Sequence, residues 1–275
     1  MNDIRMIALD LDGTLVQTDG SILPETLSIL REVSSRGIVV ALASGRYPEN
    51  AGLTLLDNGL SGPVMGANGA IIQDKPLGQT LFLHMIKDET ARAACECLDR
   101  MGSRYIIFSY KTVTTSHVGM THRSEINDGA RIAKLGGISF NHGPEAVKAA
   151  LSTGISKVFI PDQPNRKEIG EAMRAIPHLQ VTRSNASNVE LMPEGIHKGR
   201  GITELSRRLG IPLSSVMAFG DEENDLSILT LVGYGVAMGN APDHVKARCK
   251  YTTDSFDHGG VGKAIERFVL NRRLQ

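Results

Sequence analysis

The run Met6-Ile7-Ala8-Leu9 is apolar without alternation and is followed at once by Asp10-Leu11-Asp12-Gly13-Thr14. Successive apolar side chains point to opposite faces, so such a strand is buried on both, as in a parallel sheet covered by helices. Gly13 ends the run, and two carboxylates stand at the strand's carboxyl end, the edge where open parallel sheets bind ligands. Asp-Gly is also a common turn dipeptide, and alone it indicates only a chain reversal. A calcium loop likewise begins with acidic residues two apart, but it needs Gly at its sixth position and Glu at its twelfth. Here those positions are Leu15 and Ser21, which excludes it.

The chain has 275 residues, enough for two domains, and 41% hydrophobic residues, enough for a sizeable core. Thirty Lys and Arg balance thirty Asp and Glu, so no overall field draws it to nucleic acid or an anionic membrane, and neither is expected as a partner. The longest aliphatic stretch, Ile38 to Ala43, is far short of the roughly 20 residues that cross a bilayer. The N-terminus lacks the pattern of a signal peptide. Cys95, Cys97 and Cys249 cannot form a paired framework, and Cys95-Glu96-Cys97 lacks zinc-knuckle spacing, which reads as ordinary packing in a reducing cytoplasm. The histidines include no pair at zinc-helix spacing around a Glu.

Short apolar runs alternate with amphipathic stretches in the first third, the rhythm of βαβ units. Pro24 to Arg36 fits a helix stopped by Gly37, Ile38 to Ala43 a second buried strand ending in Ser44-Gly45-Arg46, and Pro63 to Met65 a third that leads into Asn68-Gly69. From Leu81 to Asn188 apolar runs are interleaved with Thr, Ser, His and basic residues. Arg104 to Ser116 there reads as strands with one solvated face. Helices are expected near 88–101, 121–135, 144–151 and 165–176, with strands near 156–160 and 180–183. The βα rhythm returns from Gly199, with a strand at Val216 to Phe219, a helix from Asn224 to Leu231 and a strand at Tyr234 to Met238. The basic stretch Arg267 to Arg273 carries Phe268, Val269 and Leu270 and is expected to dock on the core.

The expected fold is therefore α/β: a Rossmann-like, mostly parallel sheet flanked by helices, with an inserted α/β cap domain. The core takes 1–82 and 189–275 and the inserted unit 83–188, with linkers near 80–84 and 188–194.

Four features then fall at strand or helix ends: Asp10 with Asp12, Ser44, Gly220-Asp221 with Asp225, and Lys198. In a parallel sheet they converge on one edge. Each suits phosphoryl transfer. Asp10 is the candidate nucleophile, ionised near neutral pH and forming an aspartyl-phosphate. Asp12 points to the other side of an ideal strand, so the chain must leave β geometry for both acids to share a site, and Gly13 makes that departure cheap. Asp12 then gives a proton to the leaving alkoxide and takes one from water. Asp10, Asp12 and Asp221 around a phosphate dianion require a cation, and hard oxygen donors suit Mg²⁺. Lys198 supplies a fixed positive charge, and Ser44 a hydroxyl beside main-chain N–H groups. Taken singly, Ser44 could cap a helix, Lys198 could be a surface lysine, and Gly220 to Asp225 could be an acidic helix start. Gly66-Ala67-Asn68-Gly69 lacks the dinucleotide spacing and reads as a strand-end turn, and His197 reads as a surface histidine.

The ordered set Asp10-Leu11-Asp12-Gly13-Thr14, Ser44-Gly45-Arg46, Asn68-Gly69-Ala70, Glu190 to Gly199, Gly220 to Asp225 and Ala237-Met238-Gly239-Asn240-Ala241 resembles the haloacid dehalogenase superfamily. Its Cof-type branch inserts a large α/β cap between the second and third motifs. The resemblance implies a phosphatase with catalytic Asp10 and Asp12, and Mg²⁺ held by Asp10, the Asp12 carbonyl or carboxylate region and Asp221. It implies phosphate held by the Leu11 N–H, Ser44, Gly45, Lys198 and Asn224, and Asp225 ordering Asp221 and metal-bound water. Phe256 stands where the family commonly places Asn.

The expected substrate is a small phosphate ester, a sugar phosphate or related metabolite, selected by cap residues among which Arg104, Lys111, His122, Arg123 and Arg183 are candidates. A phosphomutase acting on hexose phosphates shares Asp10 and Asp12. A non-catalytic phosphometabolite sensor has no need of Asp12. The sequence carries no signature of an oligomeric state.

Overall fold

The computed structural model describes residues 3–121, 123–183 and 187–271. The chain divides into two units, one formed by residues up to 79 and from 197 onward, the other by residues 80–196. In the first unit, β1 (Met6–Leu9), β2 (Val39–Ala43) and β3 (Val64–Gly66) precede the division, with a short β4 (Ile71–Gln73) after them. The second unit holds β5 (Thr80–Leu83), β6 (Ile106–Ser109), β7 (Thr112–Thr115), β8 (Ser139–His142), β9 (Lys157–Ile160), β10 (Leu179–Thr182) and β11 (Val189–Pro193). The first unit resumes with β12 (Val216–Gly220), β13 (Tyr234–Ala237) and β14 (Tyr251–Thr252).

The first unit's own strands lie in the order β14-β13-β12-β1-β2-β3-β4. All pair in parallel except β4, which turns back antiparallel on β3. The central register sets Ala8 beside Ala218 on one side and Ala41 on the other. All four residues of β1 are buried, as an unbroken apolar run requires. Helices Pro24–Ser35 and Gly260–Ile265 pack on this sheet through Ile29, Leu30, Val33, Val261 and Ile265. Phe268, Val269 and Leu270 pack against the same core, as expected of the C-terminal stretch, and the Phe268 ring lies 4.8 Å from Tyr251. Arg272 and Arg273 lie outside the described residues.

The second unit is a sheet in the order β10-β11-β9-β6-β7-β8, antiparallel except for the β7–β8 pair. Helices Asp88–Arg100, Pro144–Thr153 and Arg166–Arg174 share a core with Ile107, Val158, Ile160, Val189 and Leu191 of the sheet. Two expectations need correction. The segment 189–196, assigned to the core unit with a linker at 188–194, contains β11, which pairs on both sides within the second sheet. The strands within 104–116 have no solvated face: β6 is wholly buried and β7 nearly so, and only the flanking and turn residues Arg104, Tyr110 and Lys111 are exposed. Of the small polar side chains there, Ser116 Oγ accepts the Tyr105 N–H at 2.9 Å and Thr115 Oγ1 donates to the Met120 carbonyl at 3.0 Å, while Thr114 Oγ1 is buried without a hydrogen-bond partner among the described residues. Of the cap candidates, Arg104 is exposed, Lys111 sits in the β6–β7 turn at φ 56°, and Arg183 follows β10. His122 and the Arg123 side chain lie outside the described residues.

Candidate active site

Because β1, β2 and β12 are parallel neighbours, Asp10, Ser44 and Asp221 leave the sheet on one edge. Just beyond β1 the chain turns sharply: the Leu11 carbonyl accepts the N–H groups of Thr14, Leu15 and Val16, and Gly13 adopts φ 76°. The chain thus leaves β geometry as expected, but the turn does not bring the Asp12 carboxylate into the same cluster as Asp10.

Lys198 begins the helix Lys198–Leu209 and is fully buried. Its ammonium donates to Asp10 Oδ1 and Asp225 Oδ1, both at 2.6 Å. The helix start is set by His197, whose Nδ1 accepts the Arg200 N–H at 3.2 Å, the ring taking the place of the usual Ser or Asp cap. Burial, and then Arg200, lower the His197 pKa, which suits a neutral acceptor. The same helix comes close to the Gly69 backbone: a Cβ on Gly201 would lie 2.8 Å from the Gly69 Cα.

Asp225 Oδ2 accepts the N–H groups of Asp221 and Glu222 at 3.1 and 3.0 Å, so Asp225 ties Lys198 to the turn after β12. Asp221 Oδ1 accepts the Thr14 hydroxyl and its Oδ2 the Asn240 amide, each at 3.1 Å. A Cβ on Gly13 would lie 2.3 Å from Asp221 Oδ2, so this approach requires glycine.

Carboxylate oxygens of Asp10, Asp221 and Asp225 lie within 4.8 Å of one another. Burial raises the Asp10 carboxyl well above the ordinary range; Lys198 draws it down, while Asp225 and Asp221 push it up. Burial, followed by Asp225, pushes Asp221 up to about 7. Burial opposes the Lys198 charge, but Asp10 and Asp225 outweigh it and its pKa is raised. Three buried carboxylates around one ammonium are short of positive charge, and an all-oxygen donor set of this kind fits a hard divalent cation. Asp225 has one oxygen on the Lys198 ammonium and the other on two main-chain N–H groups, whereas each Asp221 oxygen accepts a single neutral donor, which leaves Asp10 and Asp221 as the side chains better placed to hold an ion.

The Asp12 carboxylate is not in this cluster. It is more than half exposed and forked by Arg46, whose Nε donates to Oδ2 at 2.8 Å while Nη2 contacts Oδ1. Any hold of Asp12 on a metal therefore falls to its main chain. Ser44 is buried, and its Oγ accepts the Arg46 N–H at 3.1 Å; the helix Pro48–Asp57 has Tyr47 at its N-cap position and no side-chain cap, so Ser44 is no helix cap. Gly45 lies between them. Leu11 is fully buried. Asn224 Nδ2 donates to Asn68 Oδ1 at 3.3 Å, and the Ala67 and Asn68 N–H groups donate to the Arg46 and Ser44 carbonyls. Ala67 and Asn68 both take positive φ, confirming a strand-end turn after β3. Arg46, Asn240 and Thr14 belong to segments singled out by the sequence but had no role there. Their partners lie on other loops and become visible only once the strands are side by side.

Fold and site together define an α/β enzyme with strand-end aspartates gathered around a buried lysine. The family pattern of haloacid dehalogenase-like hydrolases matches residues 7–265. The chain belongs to that family, in its Cof-type branch, and is a phosphatase. It is 29% identical over 272 residues to the 5-amino-6-(5-phospho-D-ribitylamino)uracil phosphatase YcsE of Bacillus subtilis, covering 98% of this chain and 97% of that protein. It is 31% identical over 252 residues to the HMP-PP phosphatase of Serratia proteamaculans, covering 88% and 86% respectively. A crystal structure of a haloacid dehalogenase-like hydrolase from Bacteroides thetaiotaomicron superposes with a TM-score of 0.79 at 26% identity, covering 96% of this chain and 99% of that one.

Proposed function

We propose that this phosphatase hydrolyses small organic phosphate monoesters, sugar phosphates or related metabolites, in a Mg²⁺-dependent reaction through a phosphorylated Asp10. The observation that carries the reading is the buried Lys198 bridge between Asp10 and Asp225, with Asp221 in the same cluster. A carboxylate beside a fixed ammonium is held in place as a nucleophile, and the same ammonium stabilises charge on phosphoryl oxygens.

In the first step an Asp10 oxygen attacks phosphorus, the bond to the substrate oxygen breaks, and Asp12 supplies the proton that the departing alkoxide takes up. In the second, water attacks the aspartyl-phosphate, Asp12 takes the water's proton, and phosphate leaves with Asp10 restored. Asp10 and Asp221, with the Asp12 main chain, would hold Mg²⁺, which when bound supplies the charge that lets three carboxylates and a phosphate share one pocket. Ser44, Gly45, the Leu11 N–H and Asn224 complete the phosphate cradle in this reading, and Asp225 fixes Lys198. The residues 80–196 are assigned as the cap that selects the leaving group. The relatives named for phosphoribityl and pyrophosphoryl metabolites support a small phosphorylated substrate.

Asp10→Asn should abolish phosphate release from a panel of phosphate esters in Mg²⁺-replete buffer, and substantial turnover by that variant would overturn the reading. In the same assay, an isomeric sugar phosphate in place of free phosphate indicates a mutase. Tight binding with no release indicates a sensor, which the presence of the Asp10–Asp12 pair argues against.

A further inference from the structure

Asn240 follows β13 in the segment Met238-Gly239-Asn240, and its carboxamide reaches three separate pieces of chain. Nδ2 donates to the Gly13 carbonyl at 2.9 Å and to Asp221 Oδ2 at 3.1 Å, while Oδ1 accepts the Phe256 N–H at 3.2 Å. Both amide protons are thus committed, and the acceptor side is fixed by a third loop. Gln17 Nε2 donates to the Phe256 carbonyl at 3.0 Å, tying that loop to the chain just beyond Thr14. Because Phe256 takes part through its main chain, a side chain other than Asn is tolerated there.

The two groups that Asn240 bridges are the two whose approach is too close for any side chain at position 13. It also completes a pattern on Asp221: each carboxylate oxygen is bonded by a neutral donor, the Thr14 hydroxyl on one side and the Asn240 amide on the other. Neutral donors fix a carboxylate in direction without cancelling its charge. Asp12 is the contrast, with both oxygens taken by the Arg46 guanidinium.

We propose that Asn240 is a positioning residue for the divalent cation, clamping Asp221 against the Gly13 turn so that its full charge faces the ion shared with Asp10. The inference rests on the metal-dependent reading above. Partners that orient a metal-binding side chain typically contribute 10- to 100-fold in metal affinity.

The test reads metal binding directly: calorimetry with Mg²⁺, and Mn²⁺ binding by electron paramagnetic resonance, on the purified chain without substrate. Asn240→Ala should weaken the divalent Kd roughly 10- to 100-fold. Asn240→Ser, which restores one neutral donor, should fall between that variant and the unsubstituted protein. Both should keep the metal-free melting temperature within a few degrees. An unchanged Kd in both variants, with binding lost in Asp221→Asn, overturns the role of Asn240 and leaves the metal reading standing. Binding that survives Asp221→Asn overturns both. A metal-free melting temperature that collapses in both Asn240 variants also overturns the proposal, since Asn240 would then be holding the fold.

Discussion

At the residue scale, the site depends on two residues whose chemistry is ordinary and whose placement is not. Gly13 sits at φ 76°, with the space its Cβ would need filled by Asp221 Oδ2. Gly13→Ala adds about 1–2 kcal/mol of backbone strain and displaces Asp221, so divalent binding should weaken roughly 10- to 100-fold in calorimetry. Arg46 is the second. It holds both oxygens of Asp12, and a carboxylate so forked must release one of them to exchange a proton with a substrate. If Arg46 orients Asp12 for that exchange, Arg46→Met should lower turnover of alkyl phosphates roughly tenfold or more, up to the roughly 10²- to 10⁴-fold that general acid catalysis contributes. Turnover of 4-nitrophenyl phosphate, whose leaving group needs no proton, should fall much less. An equal loss on both would assign Arg46 to substrate binding. Asp10 and Asp221 were legible because a residue just after a parallel strand must lie on the ligand edge, and Lys198 because it opens the helix where the βα rhythm resumes. The Arg46 and Asn240 contacts were not, because they join loops whose approach depends on how the strands are ordered.

At the scale of elements, legibility followed the length and continuity of the apolar run. β1, β2 and β12 are unbroken and were read, as was the helix Pro24–Ser35 from its proline and following glycine. β4 and β14 are three and two residues long, too short for any periodicity, and β8 presents exposed polar residues. The segment of β11 reads as a linker in the sequence, where Glu190 and Pro193 break any apolar run. It is a strand because it pairs with β9 and β10, and its charged Glu190 is accommodated by Lys157 of β9 at 2.8 Å, both side chains almost fully buried, with the ammonium 5.6 Å from the Phe108 ring and 5.8 Å from Phe159. Removing one member of such a pair is far worse than removing both. Lys157→Met should therefore lose about 3–5 kcal/mol in denaturant unfolding, and Lys157→Met with Glu190→Leu should regain much of it. The helix that delivers Lys198 depends on its unusual cap. His197→Ala should cost about 1 kcal/mol, while His197→Asn, which keeps an acceptor at that position, should cost far less.

For the molecule as a whole, the aspartate cluster should, on the proposed metal reading, couple folding to both pH and divalent ions. Asp221, ordinarily titrating near 3.8, is pushed up to about 7 by burial and then by Asp225, and Asp10 is raised by burial in the same direction. Between about pH 4 and pH 7 the folded, metal-free chain thus keeps a proton at Asp221 that the unfolded chain has released. Stability falls with rising pH wherever the folded state binds more protons, so with EDTA present the melting temperature should drop across this window. A divalent cation replaces the proton. At 100 times its Kd it adds about 2.7 kcal/mol to stability, and its grip strengthens as the carboxylates ionise. With saturating Mg²⁺ the decline should therefore flatten or reverse between pH 5 and pH 7.5. Asp221→Asn, which cannot ionise, should flatten the EDTA curve and remove most of the Mg²⁺ effect. A variant that kept the full pH slope in EDTA would show that the proton resides elsewhere, and that Asp221 is not where charge and folding meet.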